Sequence, residues 1–239
     1  MSRGSGDSDR RVRHAGKRTA SSARWLERQL NDPYVRQARA AGYRSRAAFK
    51  LIELDDRFRL LGSARRVVDL GIAPGGWSQV VRQRAPGARI VGIDLLETAP
   101  IDGVTILQMD FMADAAPAAL EAALGGAPDL VLSDMAANTV GHKQTDHLRT
   151  MGLVETAADF AIATLAPGGA FVAKVLAGGT DAALLALLKR HFATVRHAKP
   201  PASRKGSSEW YVVAQRFKPP LPADQRPEGA SQEAEPAAD

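Results

Sequence analysis

Five short runs rich in β-branched residues, most of them separated by stretches with a helical pattern, constrain this chain more than any other feature. The runs are RVVDL (Arg66–Leu70), RIVGID (Arg89–Asp94), VTILQM (104–109), LVLS (Leu130–Ser133) and AFVAKVL (Ala170–Leu176). Helical patterns over Gly76–Arg84, 117–124 and 148–165 lie between them. Strands that alternate with helices imply a mainly parallel sheet with both faces covered. A further helix is expected over 181–191, followed by two more runs at 193–197 and Glu209–Phe217. The Pro/Gly/Ser loop joining that last pair is too short for a crossover helix, so the pair should be antiparallel. The expected fold is α/β and Rossmann-like: a seven-stranded, mostly parallel sheet with an antiparallel terminal hairpin strand and helices on both faces.

Upstream, RWLERQLNDPYVRQARAAGYRSRAAFKLIELDDRF reads as helix, interrupted near 31–33 and again near Gly42. Residues 1–23 are rich in Gly, Ser and Arg with almost no apolar side chains, and are expected to be a disordered basic arm. Residues 218–239 are rich in Pro, Ala and acids, and are expected to be a disordered tail. The stretch between them, 24–217, is expected to form a single domain.

The chain has no cysteine, which rules out disulfides, thiolate metal sites and cysteine nucleophiles. Its five histidines show no metal-ligand spacing, so no metal is expected. No apolar run approaches the roughly 18 residues of a membrane helix, and no secretory leader is evident, so a cytoplasmic protein without membrane contact is expected. Charge is unevenly spread. Residues 1–50 hold 13 basic against 4 acidic side chains, whereas Phe217 to the end holds 2 against 5. A basic arm ahead of a near-neutral body suits a polyanion, because each phosphate contact releases counterions.

The first strand ends in DLGIAPGGW, residues 69–77, and runs into a helix. Glycines at such a turn, here Gly71 and Gly75, let the backbone approach a ligand at the carboxyl edge of the sheet. The loop is not the GxGxxG of pyrophosphate binding. Asp69 at the strand end would repel a pyrophosphate but suits a ligand carrying an ammonium and a sulfonium, as S-adenosyl-L-methionine does. Asp94 ends the second strand, 25 residues later, where an acid accepts from ribose hydroxyls. Asp110 ends the third and is placed to meet an adenine.

Lys174 is the main anomaly, because it sits in a strand that is apolar on both sides of it. Burial disfavours an ammonium, and a lysine relieved of its proton can act as a general base. Asp134 ends the fourth strand in LVLSDMAAN, Glu209 opens the last in SSEWYVVA, and Lys50 closes SRAAFK. Two lysines and two carboxylates at one sheet edge make sense as a proton-handling cluster. SDMAAN is not the Asn/Asp-Pro-Pro-aromatic stretch with which amino-methylating enzymes hold an exocyclic nitrogen. Carbon-5 methylation generally needs a cysteine. An oxygen acceptor remains.

Seven strands closing in a terminal hairpin match the outline of the class I methyltransferase sheet. DLGIAPGGWSQ, SDMAAN, FVAKV and SSEWYVVA, with RSRAAFKL upstream, resemble the FtsJ/RrmJ family of 2′-O-ribose RNA methyltransferases. The resemblance runs from about Ser21 to about Arg216 and is closest to the bacterial branch that modifies a uridine of large-subunit (23S) ribosomal RNA. It implies a Lys-Asp-Lys-Glu tetrad at Lys50, Asp134, Lys174 and Glu209, with Lys174 as base or orienting group. It also implies S-adenosyl-L-methionine contacts at Gly75, Trp77, Asp94, Asp110 and Asp134, and ribosomal RNA on the large ribosomal subunit as partner. The chain departs from the family at Ala137, where proline is common, and in the LAGG stretch that follows Lys174 and Val175.

Phosphate contacts are expected from Arg10, Arg11, Arg13, Lys17, Arg18, Arg44, Arg46, Arg204 and Lys205. Trp25 and Tyr34 are candidates for stacking on RNA, with core packing the expected role of each. Competing readings are a sibling enzyme acting on tRNA or an mRNA cap, a non-catalytic assembly factor on the same scaffold, and a small-molecule O-methyltransferase. A monomer is expected.

Overall fold

In the computed structural model, residues 32–137, 141, 143–176, 182–204 and 206–219 are described. The basic arm, the acidic tail, Trp25 and Lys205 lie outside them. The chain order is α1 (Pro33–Ala40), α2 (Ala47–Phe58), β1 (Arg66–Leu70), α3 (Gly76–Arg84), β2 (Arg89–Asp94), β3 (Val104–Gln108) and α4 (Ala116–Leu124), then β4 (Leu130–Ser133), α5 (Lys143–Thr164), β5 (Ala170–Leu176), α6 (Ala182–His191), β6 (Phe192–Ala198) and β7 (Glu209–Phe217).

The seven strands form one sheet in the order β3-β2-β1-β4-β5-β7-β6. β1 to β5 pair in parallel, while β7 runs antiparallel to both β5 and β6. This is the expected Rossmann-like α/β sheet with its terminal hairpin. Most elements match the sequence reading within one residue at each end. The long helix α5 differs: it starts at Lys143, five residues earlier than its apolar pattern, which begins only at Leu148.

The central strands are buried on both faces, as helix-covered parallel strands must be. Ala48, Leu51 and Leu54 of α2 and Trp77, Val80 and Val81 of α3 pack on one face. Leu120 and Leu124 of α4, Val154, Ala157 and Ala161 of α5, and Leu184 and Leu188 of α6 pack on the other. The order of strands reverses beside β1, and the carboxyl edge at such a switch point is the ligand-binding place in open sheets of this kind. Among the described residues, no helix is long and apolar enough to cross a membrane. No group of three or more potential metal ligands occurs among them.

Candidate active site

The carboxyl edge collects the loops after β1, β2, β3 and β4. Gly75 caps α3 with φ at +107°, a left-handed conformation that suits glycine, and a Cβ there would lie 2.4 Å from Ile101 Cδ1. Gly71 is held at φ +79°, where a Cβ would come 2.7 Å from Met135 Cγ and 3.1 Å from the Met135 backbone. The turn after β1 therefore lies tight against the turn after β4. The first N–H groups of α3 have no partner within the helix and point out of its start.

Asp94 fixes this turn. One carboxylate oxygen accepts from Ala73 N at 2.8 Å and the other from Leu96 N at 2.9 Å. Asp110 is exposed, and its Oδ1 accepts from Met112 N at 2.9 Å. Beside the two acids stand Leu95, Leu96 and Met112, exposed to 61%, 68% and 51%. The sequence reading missed these apolar side chains; two acids flanked by uncovered apolar groups form a slot for a flat, partly polar ring.

The charged residues meet next to that slot. Strand pairing sets Ser133 beside Ala173, so Asp134 and Lys174 emerge side by side. Lys174 is 6% exposed. Its Nζ donates to the Asp134 carbonyl at 2.6 Å and lies 3.3 Å from Asp134 Oδ1. Lys50, in the first turn of α2 and also buried, places Nζ 3.1 Å from Glu209 Oε2. Tyr211 stands opposite Lys174 in the β5–β7 pairing and joins the two pairs. Its hydroxyl donates to Asp134 Oδ1 at 2.8 Å, and Lys50 Nζ lies 5.6 Å from its ring centre. Burial pushes the Asp134 carboxyl up, but Lys174, Lys50 and the Tyr211 hydroxyl outweigh it and hold the group below the usual carboxylate range. Burial, reinforced by the charges of Asp134 and Glu209, pushes the Tyr211 phenol well above 10, so it remains a donor. All four expected charged residues therefore sit at one edge, as two ion pairs bridged by a tyrosine that charge reasoning passed over.

Residues 43–217 match the sequence pattern of the FtsJ-like methyltransferases, close to three quarters of the chain. The chain belongs to that family. Among relatives named ribosomal RNA large subunit methyltransferase E, that of Novosphingobium aromaticivorans is 76% identical over 218 residues, spanning 91% of this chain and 98% of the relative. That of Rhizorhabdus wittichii is 66% identical over 235 residues, spanning 98% and 100%. The crystal structure of a ribosomal RNA methyltransferase from Plasmodium falciparum superposes with a TM-score of 0.65 at 32% identity, covering 73% of this chain and 98% of that one.

Within this FtsJ-like domain, other expected residues are placed differently from the sequence reading. Asp69 is 1% exposed, and its carboxylate accepts from Ser78 Oγ at 2.7 Å. Burial raises its pKa to about 7, against the Ser78 hydrogen bond and helped by Asp134 and Asp94. It supports the turn from beneath, tied to the first turn of α3 through Ser78. The Trp77 ring is likewise core: it packs 5.7 Å from the Tyr211 ring, and its Nε1 donates to the Ala47 carbonyl at 2.9 Å.

The arginines expected to grip phosphate are corrected in three cases. Arg44 donates to the Pro74, Ala99 and Pro100 carbonyls, which clamps the turns after β1 and β2 together. Arg46 bonds Asp32 and the Ala202 carbonyl. Arg204 Nε lies 3.3 Å from the same Asp32. Asp32 is 8% exposed, and both guanidinium groups turn to it. Tyr34 is half-buried and outside the core: it packs against Phe49, and its hydroxyl donates to Glu53 Oε1 at 3.3 Å. Ser45 Oγ, pressed against the start of α3, is buried without a hydrogen-bond partner among the described residues.

Proposed function

We propose that this chain transfers a methyl group from S-adenosyl-L-methionine to the ribose 2′-hydroxyl of a uridine in large-subunit (23S) ribosomal RNA, with the assembled subunit as substrate. The observation that carries the reading is the Lys174 ammonium, buried at the carboxyl edge and bound twice to Asp134. The relatives' names give the RNA class, and the absence of cysteine and of an Asn/Asp-Pro-Pro motif favours an oxygen acceptor.

The residues at the edge suit the methyl donor. Asp94 and Asp110, with Leu95, Leu96 and Met112 beside them, match an adenosine that needs hydroxyl acceptors and apolar cover. The N–H groups of Gly76 and Trp77 at the start of α3 suit a carboxylate, and Asp134 suits a cation. When bound, S-adenosyl-L-methionine supplies an electrophilic methyl carbon whose bond to sulfur breaks with the electron pair staying on sulfur. The chain's own task is to place the ribose oxygen in line and accept its proton as the new bond forms. Lys174 is the group positioned there: its ammonium orients the oxygen, and only its neutral amine form can take the proton as base. Asp134, kept ionised, fixes the Lys174 side chain through the carbonyl and carboxylate contacts. Tyr211 holds the Asp134 carboxylate in that orientation. Lys50 and Glu209 line the other side of the acceptor space.

The same reading makes residues 24–217 one methyltransferase domain acting in the cytoplasm as a monomer. It is tested with Lys174→Ala, which is expected to bind S-adenosyl-L-methionine with unchanged affinity by calorimetry while transferring methyl groups to large subunits at least about 100-fold more slowly. Near-normal turnover would remove Lys174 from the role.

A further inference from the structure

We propose that the concavity between the C-terminal end of α2 and the β6–β7 ribbon binds the phosphate backbone of the RNA substrate, away from the nucleotide that is methylated. This rests on the reading of RNA as substrate. The concavity encloses about 450 Å³ and is lined by Arg57, Phe58, Thr194, Arg196, Gln215 and Arg216. Its lining comes from the end of α2 and from the ribbon, in which Thr194 stands opposite Gln215 and Arg196 opposite Val213.

Three features separate this group from an ordinary solvated charge patch. Its lining contains no carboxylate, and no ion pair among the described residues involves Arg57, Arg196 or Arg216. The acids adjacent to Arg57 in sequence, Asp55 and Asp56, are both held by Arg84 at 2.6 Å. Arginines 44, 46, 84 and 204, by contrast, are all bonded to the protein itself.

The second feature is backbone strain. Among the described residues only Arg59 and Arg216 are non-glycine residues with positive φ, at 56° and 60°; Arg59 is the left-handed C-cap of α2, which accounts for it, whereas Arg216 lines the concavity. Side-chain-bearing residues rarely adopt this conformation, and at Arg216 such strain retained at the surface points to function. The third is composition. The Arg57 guanidinium lies 5.0 Å over the Phe58 ring, next to the neutral donors Thr194 and Gln215. Guanidinium forks beside neutral polar groups are what a nucleic-acid backbone needs, with phosphates met by the forks and the half-buried Phe58 ring holding the Arg57 fork in place. An acidic peptide would need only the cations.

The placement fits nucleotides flanking the target. Lys50 precedes Arg57 by seven residues on α2, about 10 Å along the helix. Glu209 precedes Gln215 by six residues on β7, about 20 Å along the strand. The groove is therefore out of reach of the reacting ribose but rigidly tied to it by two elements.

The test uses the full-length protein with isolated large ribosomal subunits, comparing Arg57→Glu/Arg196→Glu and the milder Arg57→Gln/Arg196→Gln with wild type. Melting temperatures confirm that each variant is folded. The charge-reversed pair is expected to raise KM for the subunit about ten-fold or more near physiological salt, with the Gln pair shifting it less in the same direction. The dependence of log KM on log salt should fall by about 1.5 to 2, the share of two phosphate contacts. kcat and S-adenosyl-L-methionine affinity should stay within about two-fold. Unchanged KM and salt dependence in both variants, while wild type methylates normally, would overturn the proposal. So would an effect that vanishes in a chain ending at residue 219, because the arginines would then serve the acidic tail. Failure of wild type to methylate large-subunit RNA is a separate result, which would overturn the substrate reading and this proposal with it.

Discussion

At the scale of single residues, burial decides what each charged group does. Asp69 and Asp134 are both carboxyls at the carboxyl edge, yet they are pushed in opposite directions. Asp134 has two ammonium groups and a phenol to hold its charge, whereas Asp69 has one serine hydroxyl and two carboxylates nearby. A carboxyl raised to about 7 binds its proton in the folded state while the unfolded chain releases it near 3.8. The folded state therefore holds more protons across that window, and its stability falls as pH rises from about 4 to about 7. Asp69→Asn keeps an acceptor for Ser78 and removes the titration. It is expected to flatten the pH dependence of the melting temperature across this window, with a gain on the order of a few kcal/mol at pH 8 over pH 4 relative to wild type. Parallel pH profiles for the two proteins would show that Asp69 does not titrate in this way.

At the scale of elements, the entry into the domain depends on one buried acid. Asp32 caps α1 by accepting from Tyr34 N at 3.0 Å, and it also pairs with Arg46 before α2 and with Arg204 in the loop before β7. Asp32→Ala is expected to destabilise the domain by about 2–4 kcal/mol, combining a lost cap with a guanidinium left partly buried and unpaired. Urea unfolding measures this, and a change within 0.5 kcal/mol would mean that the three contacts contribute little. This cluster also shows where sequence reading stops. Strands and helices were legible because their apolar periods and turn residues are local, and Lys174 stood out because its strand is otherwise apolar. The partners of Arg46 were not legible, since Asp32 and Ala202 lie 14 and 156 residues away and a positive charge in sequence reads as a phosphate contact. Tyr211 was overlooked for a different reason. Its role depends on standing opposite Lys174, which follows from the β5–β7 register and not from any motif.

At the scale of the whole molecule, chemistry and charge separate. The carboxyl edge holds acids and apolar side chains for a small ligand, and the flank formed by α2, β6 and β7 carries uncommitted arginines. The basic N-terminal residues add to the same sign. Removing residues 1–20 takes away Arg10, Arg11, Arg13, Lys17 and Arg18 and is expected to weaken binding to large-subunit RNA with a shallower salt dependence. Titration at several salt concentrations checks this, and an unchanged slope would reduce the arm to a solubility segment.

The central claim concerns which atom receives the methyl group and which side chain makes that possible. Mapping ribose methylation along the large-subunit RNA of cells that lack this protein, resupplied with either wild type or Lys174→Ala, tests it directly. The account predicts one 2′-O-methyluridine that disappears with the gene, returns with wild type and stays absent with the variant. A modification that returns equally with Lys174→Ala, or that appears on a base atom instead of the ribose oxygen, would contradict it.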